Sequence, residues 1–487
     1  MKFHDTLEVY VEVCSQESEP QTLRAGTLGA SFLGGRVLAG TWFEYSPSYL
    51  NSHSAYSLDP ALPLTKGRIY SGADSHMFGT FQDLAPDDWG KRIIEANLAE
   101  SRGHGPGTTT SIGAFDYLAL SSDEARPGSL RIRASEDDRW LGTDSVPEIR
   151  VTDLDTYASA AARFEAHEAT SEDLELLRTP GTSAGGARPK VTVRVNGELR
   201  LIKLPSERDR GRDGEAWEFL AIDIARRAGI DVQTGELLRT TDGMSSLSLK
   251  RFDRTRAGDR IGFMSARTAL EISDQGHPQH LTYEDLADTV DSLSGGDRQQ
   301  LKDLFKRVAL TVLINNVDDH WKNHGFLRLG ERWALSPAYD INPLISRGVV
   351  TSRQISSADD PRNRDIRNLT RTASSYALTR DDAASALSVV LNAVRLWPKI
   401  ARELKISGGE ITSMSPAFSL EQQGYAESEI ERLGVGPRTI DLQANSKIQS
   451  VPTKPQKSEH GEDLVWVKPH LRNGVPVAGF WRRTPGR

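Results

Sequence analysis

The stretch from Lys190 to Lys203 constrains the fold more than any other part of this sequence. Valine alternates with other residues over 191–195, Asn196-Gly197 follows, and apolar residues alternate again on the way to Lys203. An Asn-Gly pair between two alternating runs is the strongest short-range signal for a two-residue β-hairpin. The sequence therefore predicts two antiparallel strands that turn at Asn196-Gly197.

The register of this hairpin sets Lys190 directly opposite Lys203. Like charges opposed across two strands are unfavourable, so the arrangement favours a site in which an anion lies between the two ammonium groups. Two alternatives remain open, in which both lysines extend to water or a β-bulge shifts the register. If the anion interpretation holds, replacing either lysine by methionine is expected to stabilise the protein without its ligand.

The loop before the hairpin, residues 181–190, consists largely of small residues. It is not a Walker loop, because Ala187 stands where that motif requires lysine. A loop of small residues can still direct backbone N–H groups toward phosphate. The alternative is that Gly185-Gly186 only forms a turn.

A second polar cluster begins where a helical pattern ends. Apolar residues recur with helical spacing over 301–314, and Asp318, Asn323 and Asp340 follow. Phosphoryl transfer needs an Asp that orients the attacking hydroxyl, an Asn and an Asp that bind magnesium, and a Lys for the phosphates. The residue types in the two polar regions thus predict an ATP-dependent phosphotransferase.

Other chemistries fit less well. Asp318 and His320 are also spaced as a ligand pair of a metallohydrolase, but no second His/Asp cluster in the sequence completes a zinc site. Cys14 is the only cysteine, which excludes an internal disulfide and a cysteine-rich metal site. The His-Arg-Asp and Asp-Phe-Gly motifs of ordinary protein kinases are absent.

At these residues the chain resembles the HipA family of bacterial serine/threonine kinase toxins. The family pattern Asn-x-Asp-x-His-x-Lys-Asn, followed by a Tyr-Asp pair, is matched by Asn316, Asp318, His320, Lys322, Asn323, Tyr339 and Asp340. The resemblance implies that Asp318 is the catalytic residue and that Asn323 and Asp340 bind magnesium. It also implies nucleotide-binding roles for His320, Lys322, Asn323, Tyr339 and Asp340.

The resemblance extends to the hairpin region, where residues 181–190 look like the family's phosphate loop. Ser183 matches the autophosphorylated serine of that loop. The resemblance implies nucleotide binding by Gly185, Gly186, Ala187, Arg188, Pro189, Lys190, Lys203, Lys250, Arg251 and Phe252. The last three belong to a strand and hinge that carry adenine on backbone groups in the family, although Lys250 replaces a commonly acidic residue.

Local patterns predict several further elements. A helix over 215–229 carries Glu218, which is expected to form an ion pair with Lys203 unless it is simply solvated. Asp87 is expected to cap a helix, and the glycines of residues 26–43 suggest short strands and turns. The other predicted elements are a strand at 7–14 and helices at 283–294, 298–314, 380–396 and 418–433, with Pro398 ending or kinking the third.

The resemblance covers residues 5–435 and implies an α+β protein with a HipA-like two-lobed kinase fold, related to that of PI3/4-kinases. A small mixed N-terminal domain would precede a largely α-helical C-terminal lobe. The predicted domains are 1–160 (HipA-like N-terminal domain), 161–254 (kinase N-lobe), 255–441 (α-helical C-lobe) and 442–487 (flexible basic tail). A chain of 487 residues exceeds one typical core.

Composition bears on location and partners. Hydrophobic residues make up 37% of the chain without a run of membrane-spanning length, so a cytoplasmic protein with no membrane contact is expected. The net charge of -7 argues against a large nucleic-acid footprint.

The resemblance implies ATP and Mg²⁺ as cofactors, a small helix-turn-helix antitoxin as partner, and DNA contact only through that antitoxin. A protein substrate such as an aminoacyl-tRNA synthetase is also implied. Two alternatives stay open. One is a small-molecule phosphotransferase of the antibiotic- or choline-kinase sort, and the other is a pseudokinase that only binds antitoxin and DNA.

Overall fold

The computed structural model describes most of the chain. The described residues are 3–15, 18–101, 112–134, 139–142, 144–179, 181, 186–209, 211–241, 243–273, 281–345, 353–360, 364–434 and four short strands between 464 and 483. Ser183 and Gly185 lie outside these residues, as does most of the predicted tail. No helix within them is long and apolar enough to span a membrane.

The N-terminal part contains a five-stranded antiparallel sheet in the order β4-β3-β2-β1-β5. The predicted alternating strand at 7–14 is confirmed within β1, which buries Leu7, Val9 and Val11 on one face. The elements are β1 (Thr6–Ser15), β2 (Ser18–Phe32), β3 (Leu38–Tyr45), α1 (Pro47–Leu50), β4 (Arg68–Tyr70), α2 (Gly79–Leu84), α3 (Asp88–Ser101), α4 (Ala114–Leu120) and β5 (Leu130–Ala134).

The expectation of short strands and turns over 26–43 is wrong for its first half. Gly26 and Gly29 lie inside the long strand β2. A Cβ on Gly29 would overlap the indole ring of Trp42 on the neighbouring strand β3. These glycines therefore allow the two strands to approach each other closely. They do not mark turns.

A four-stranded antiparallel sheet, in the order β6-β7-β9-β8, follows two helices. Asn196 and Gly197 both adopt positive φ, and Lys190 pairs with Lys203, so the predicted hairpin register is confirmed. The elements are α5 (Leu154–Glu165), α6 (Ser171–Arg178), β6 (Lys190–Val195), β7 (Glu198–Lys203), α7 (Gly214–Arg227), β8 (Gly235–Arg239) and β9 (Ser245–Lys250).

The remaining described part is largely helical and includes one three-stranded sheet, β10-β11-β12. All four predicted helices are present. Pro398 does not kink the third helix but lies in the first turn of the next one, where its missing N–H has no intrahelical partner to lose. The elements are β10 (Phe263–Ser265), α8 (Ala266–Ala269), α9 (Tyr283–Ser294), α10 (Arg298–Leu313), β11 (Gly325–Leu329), β12 (Arg332–Leu335), α11 (Ile366–Arg371), α12 (Arg380–Val394), α13 (Trp397–Glu403), α14 (Gly408–Met414) and α15 (Leu420–Leu433).

The tail region contains two short antiparallel pairs. Strand β13 (Leu464–Val467) pairs with β16 (Phe480–Arg483), and β14 (His470–Arg472) pairs with β15 (Val475–Val477). The three predicted domain boundaries stay predictions, and the first of them falls within α5.

One apolar core connects the N-terminal part to the four-stranded sheet. Trp89 and Ile93 of α3 pack in the same buried cluster as Val191 and Val193 of β6. A larger core joins α7 and β9 to the C-terminal helices. The start of α3 is thereby held close to the beginning of β6, where the phosphate loop was predicted.

Candidate active site

The two polar regions predicted from the sequence meet in one pocket. Ten predicted site residues line it: Gly186, Lys190, Lys203, Arg251, Phe252, His320, Lys322, Asn323, Tyr339 and Asp340. Six other described ones do not: Ala187, Arg188, Pro189, Glu218, Lys250 and the predicted catalytic residue Asp318. The predicted site residues Ser183 and Gly185 lie outside the described residues.

The segment that follows α10 is turned sharply at its start and then carries the predicted catalytic residue. Asn315 adopts a φ of 50°, and its amide donates to the carbonyl of Leu344 (2.7 Å). Asp318 is exposed. Its backbone carbonyl accepts a hydrogen bond from the side-chain amide of Asn323 (3.0 Å), which fixes the orientation of that amide.

Asp319 anchors the same segment from the inside. This buried carboxylate accepts hydrogen bonds from the hydroxyl of Tyr283 and from Nε2 of His324, whose nitrogen lies 3.0 Å from Oδ1. Burial acts to raise the pKa of Asp319, but His324 outweighs it with help from Tyr283 and holds the pKa at about 2. The adjacent residue Asp318 is thus presented to solvent by a segment that is fixed to the core.

Asp340 adopts a left-handed backbone conformation with a φ of 56°. A non-glycine residue rarely adopts this conformation, and such strain concentrates at functional sites. Its Oδ1 atom lies 2.6 Å from Lys203 Nζ and 3.3 Å from the amide nitrogen of Asn342. Although burial acts to raise it, Lys203 and then Lys190 hold the pKa of Asp340 well below its usual range.

The two paired lysines have different surroundings. Lys203 Nζ lies 2.7 Å from Oε1 of Glu218, so the predicted strand-to-helix ion pair is present, and the 2.6 Å contact to Asp340 adds a second carboxylate. Burial acts to lower the pKa of Lys203, but Asp340 and Glu218 raise it above its usual value.

Lys190 has no such partner, since its ammonium makes no hydrogen bond or ion pair within the described part of the chain. Burial lowers the pKa of Lys190 to about 8, and the positive charge of Lys203 adds to this effect. Because Lys203 neutralises two carboxylates, we now expect its loss to destabilise the protein, and the expectation that loss of either lysine is stabilising is kept for Lys190 alone.

Aromatic and apolar side chains form the other end of the pocket. The ring of Phe252 lies 5.3 Å from that of Tyr339 and 6.0 Å from that of Phe263. Leu201 and Gln233 complete this end. Flat apolar walls with a few polar groups suit a planar heterocyclic base.

The donors at the acidic end fit magnesium better than a metal that needs a full set of protein ligands. Among the described residues no group of three or more His, Cys, Asp or Glu side chains is placed to hold a metal ion. Asn323 Oδ1 and Asp340 Oδ2 accept no hydrogen bond from a described residue and are hard oxygen donors. Magnesium is commonly bound by one or two such groups together with phosphate oxygens.

Comparison with known proteins identifies this arrangement. Residues 182–397 match the family model of the HipA-like C-terminal domain. This part of the chain is therefore a HipA-like C-terminal domain. The matched range contains the phosphate-loop lysine, the ion pair and all three residues expected to act on phosphate and metal.

One solved structure supports the HipA-like fold. A chain in the Shewanella oneidensis MR-1 structure of the toxin-antitoxin system HipA, HipB and its operator DNA complex is similar over 88% of this chain and 97% of that chain, with 16% identity and a TM-score of 0.56. The Helicobacter pylori proinflammatory kinase CtkA is matched over 51% of this chain and 91% of that chain, with 15% identity and a TM-score of 0.34. The predicted α+β, two-lobed HipA-like fold is confirmed by the first of these.

Two residues that the HipA resemblance assigned to the nucleotide point elsewhere. The ammonium of Lys250 contacts Glu198 on the neighbouring strand, and the guanidinium of Arg188 lies 2.5 Å from Asp209. A cross-strand carboxylate and a carboxylate on the following segment thus occupy these two cations. These ion pairs involve the side chains only, and the predicted nucleotide-binding roles of Arg188 and of the backbone at Lys250 stay predictions.

Three carboxylates near the site were missed or misassigned. Asp83 accepts hydrogen bonds from the N–H (2.8 Å) and hydroxyl (2.7 Å) of Ser265 at the pocket wall. Asp87 was expected to cap α3, but its side chain contacts Gly186 and Lys322 instead. No feature of the sequence distinguished Asp319 from the adjacent Asp318. The contacts of Asp83 and Asp87 span distant parts of the chain, which no local pattern encodes.

Proposed function

We propose that this protein with a HipA-like C-terminal domain is an ATP- and Mg²⁺-dependent serine/threonine protein kinase. The observation that carries the proposal is that Lys190, Lys203, Asn323 and Asp340 line one pocket, with Asp318 on the segment that holds Asn323. Aromatic rings that suit a base, cationic side chains that suit phosphates and oxygen donors that suit a metal line this same pocket, and these are the groups that binding of ATP with Mg²⁺ requires.

Each residue has a distinct role in the proposed reaction. Asp318 orients the acceptor hydroxyl and accepts its proton, and Lys190 and Lys203 balance the charge of the phosphates. Asn323 and Asp340 would hold Mg²⁺, which supplies charge neutralisation at the phosphates when bound. Glu218 keeps Lys203 in place through their ion pair. Positioning and electrostatic stabilisation carry most of the catalysis in this chemistry.

Ser183 is proposed as the site of autophosphorylation. Phosphorylation adds about two negative charges to a loop that would otherwise bind an equally negative triphosphate. The modified loop should leave the site, and the kinase should become inactive. This proposal rests on the resemblance, because Ser183 lies outside the described residues.

The proposed biological role is that of the toxin in a type II toxin-antitoxin system of the cytoplasm. The similar chain from Shewanella oneidensis belongs to a complex with HipB and operator DNA, which supports a small DNA-binding antitoxin as partner and DNA contact through that antitoxin. The proposed substrate is a component of translation, such as an aminoacyl-tRNA synthetase.

Induced expression followed by quantitative phosphoproteomics tests this role. The full chain should arrest growth and raise phosphorylation of a serine or threonine in one or a few translation proteins, and Ser183 should itself carry phosphate. The Asp318→Ala variant, expressed to the same level, should do neither.

Two other results would replace the proposal. Transfer of phosphate to a small molecule without any new phosphoprotein would indicate an antibiotic- or choline-kinase-like enzyme. Growth arrest that is equal in the Asp318→Ala variant would indicate a pseudokinase that acts by binding alone.

A further inference from the structure

The start of α3 contacts both ends of the short segment from Gly186 to Lys190. The N–H of Gly186 donates to Oδ2 of Asp87 (2.6 Å), and the N–H of Trp89 donates to the carbonyl of Gly186 (3.4 Å). At the other end the indole N–H of Trp89 donates to the carbonyl of Lys190 (2.9 Å). Trp89 is fully buried, so the contacts of the segment originate from a rigid position in the N-terminal part.

Asp87 makes a second contact, to the catalytic segment. Its Oδ1 atom lies 3.1 Å from Nζ of Lys322, while Oδ2 holds Gly186. Burial acts to raise the pKa of Asp87, but Lys322 and the N–H of Gly186 hold it below its usual value. One ionised carboxylate therefore bridges the end of the phosphate loop and the segment that carries Asp318 and Asn323.

The position of Gly186 matters for the cation that faces the phosphates. Gly186 adopts a φ of 78°, and a Cβ on it would lie 3.1 Å from the ammonium of Lys190. The backbone of Gly186 thus forms one side of the space around that ammonium. A shift of Gly186 away from Asp87 would change the surroundings of Lys190, which has no carboxylate partner within the described residues.

We infer that Asp87 is a positioning residue through which the N-terminal part of the chain sets the affinity for ATP. Asp87, which itself lines the pocket, holds Gly186 against the catalytic segment through its hydrogen bond to Gly186 and its ion pair with Lys322. The inference rests on the proposed kinase function. It assigns a role in that function to the start of α3, which lies outside the matched HipA-like C-terminal domain.

The opposite role for Asp87 makes the opposite prediction. A carboxylate between Gly186 and Lys322 could compete with the triphosphate and leave when ATP binds. Removing the carboxylate would then tighten ATP binding, whereas removal of a positioning residue weakens it. The sign of the change in affinity decides between the two roles.

The test compares three variants of the full chain by calorimetry with ATP and Mg²⁺. Asp87→Ala loses both contacts, and Asp87→Asn keeps an acceptor for Gly186 but loses the charge that faces Lys322. The matched control is Asp88→Asn. Asp88 is the next residue, its side chain is 76% exposed, and its Oδ1 atom lies 3.9 Å from Nζ of Lys91. We expect about tenfold weaker binding for Asp87→Ala, a smaller loss for Asp87→Asn and no change for the control.

Hydrogen exchange without nucleotide supplies a second readout that does not depend on ATP. Peptides that span residues 186–195 should exchange faster in Asp87→Ala than in the control, while peptides from α12 should be unchanged. General destabilisation would accelerate both. If Asp87→Ala does not fold, Asp87→Asn serves in its place.

The inference is overturned if Asp87→Ala and Asp87→Asn bind ATP as the control does, or more tightly. If the unmodified chain binds no ATP, the proposed kinase function fails by itself. The exchange measurement then still decides whether Asp87 positions the loop, and unchanged exchange over 186–195 would reject it.

Discussion

Lys190 and Lys203 are paired across two strands, yet they differ in what surrounds each ammonium. Lys203 contacts Glu218 and Asp340. Lys190 forms no ion pair with a described residue, and burial and Lys203 lower its pKa in spite of the carboxylates farther away. Sequence reasoning obtained the register correctly and expected an anion between the two. Among the described residues the direct ion pairs are made by Lys203, which leaves the ammonium of Lys190 available to a phosphate.

Methionine substitutions should therefore change stability in opposite directions. Lys203→Met leaves the buried carboxylate of Glu218 without its cation and should lower the free energy of unfolding by about 3 kcal/mol. Lys190→Met removes a buried charge without a partner and should leave it unchanged or higher. Urea unfolding of the nucleotide-free protein measures both. Equal destabilisation by the two variants would contradict this account of the site.

Lys190 should also give the protein a pH-dependent stability. Its pKa of about 8 in the folded chain lies below the ordinary 10.5, so between these values the unfolded chain holds a proton that the folded chain has lost. Stability then rises with pH across this window. Relative to Lys190→Met, the unmodified protein should gain about 3 kcal/mol from pH 8 to 10.5. Urea unfolding at several pH values checks this, and a constant difference would refute it.

At the scale of helices and strands, the local sequence pattern predicted an element correctly wherever that pattern itself determines the structure. The helical period over 301–314 and the Asn196-Gly197 turn were identified correctly because neighbouring residues determine them. Strand β2 was missed because Gly29 is required by the indole ring of Trp42, and Gly26 by the backbone carbonyl of Glu44 and the ring of Phe43, on the adjacent strand. Glycine occurs both in turns and where two strands approach closely, and only the tertiary structure distinguishes these two uses.

The account of β2 predicts a position-specific effect of adding a methyl group. Gly29→Ala forces a Cβ into the ring of Trp42 and should destabilise the protein by about 1 to 3 kcal/mol. Gly34→Ala is the control, because nothing lies within 4 Å of its added Cβ. Thermal unfolding of the two variants should separate them, and equal midpoints would show that Gly29 is not needed for strand packing.

Of two adjacent carboxylates, Asp318 should be needed for activity and Asp319 for stability. Asp319→Ala removes the acceptor for Tyr283 and His324 in the core and should cost about 3 kcal/mol of folding free energy. Asp318→Ala changes an exposed side chain and should cost well under 1 kcal/mol. Chemical unfolding of both variants tests the division. A larger loss for Asp318→Ala would reverse the assignment.

At the scale of the whole molecule, the site is assembled from parts that are distant in sequence. Residues from α2 to α3, the hairpin β6-β7 and the segment after α10 all reach one pocket. The last two carry motifs and were predicted, along with the order of the lobes. The contribution of Asp83 and Asp87 was not, since it depends on how the N-terminal part packs against the sheet and not on any spacing within it.

We propose that this pocket transfers phosphate from ATP and that Asp318 orients the acceptor. The most direct measurement incubates the purified full chain with Mg²⁺ and ATP labelled at its terminal phosphate, and counts label on protein. The unmodified chain should become labelled or should label its substrate. The Asp318→Ala variant should be slower by about a hundredfold or more and yet bind ATP with similar affinity. Near-normal transfer by Asp318→Ala, or ATP binding without any transfer by the unmodified chain, would contradict the account.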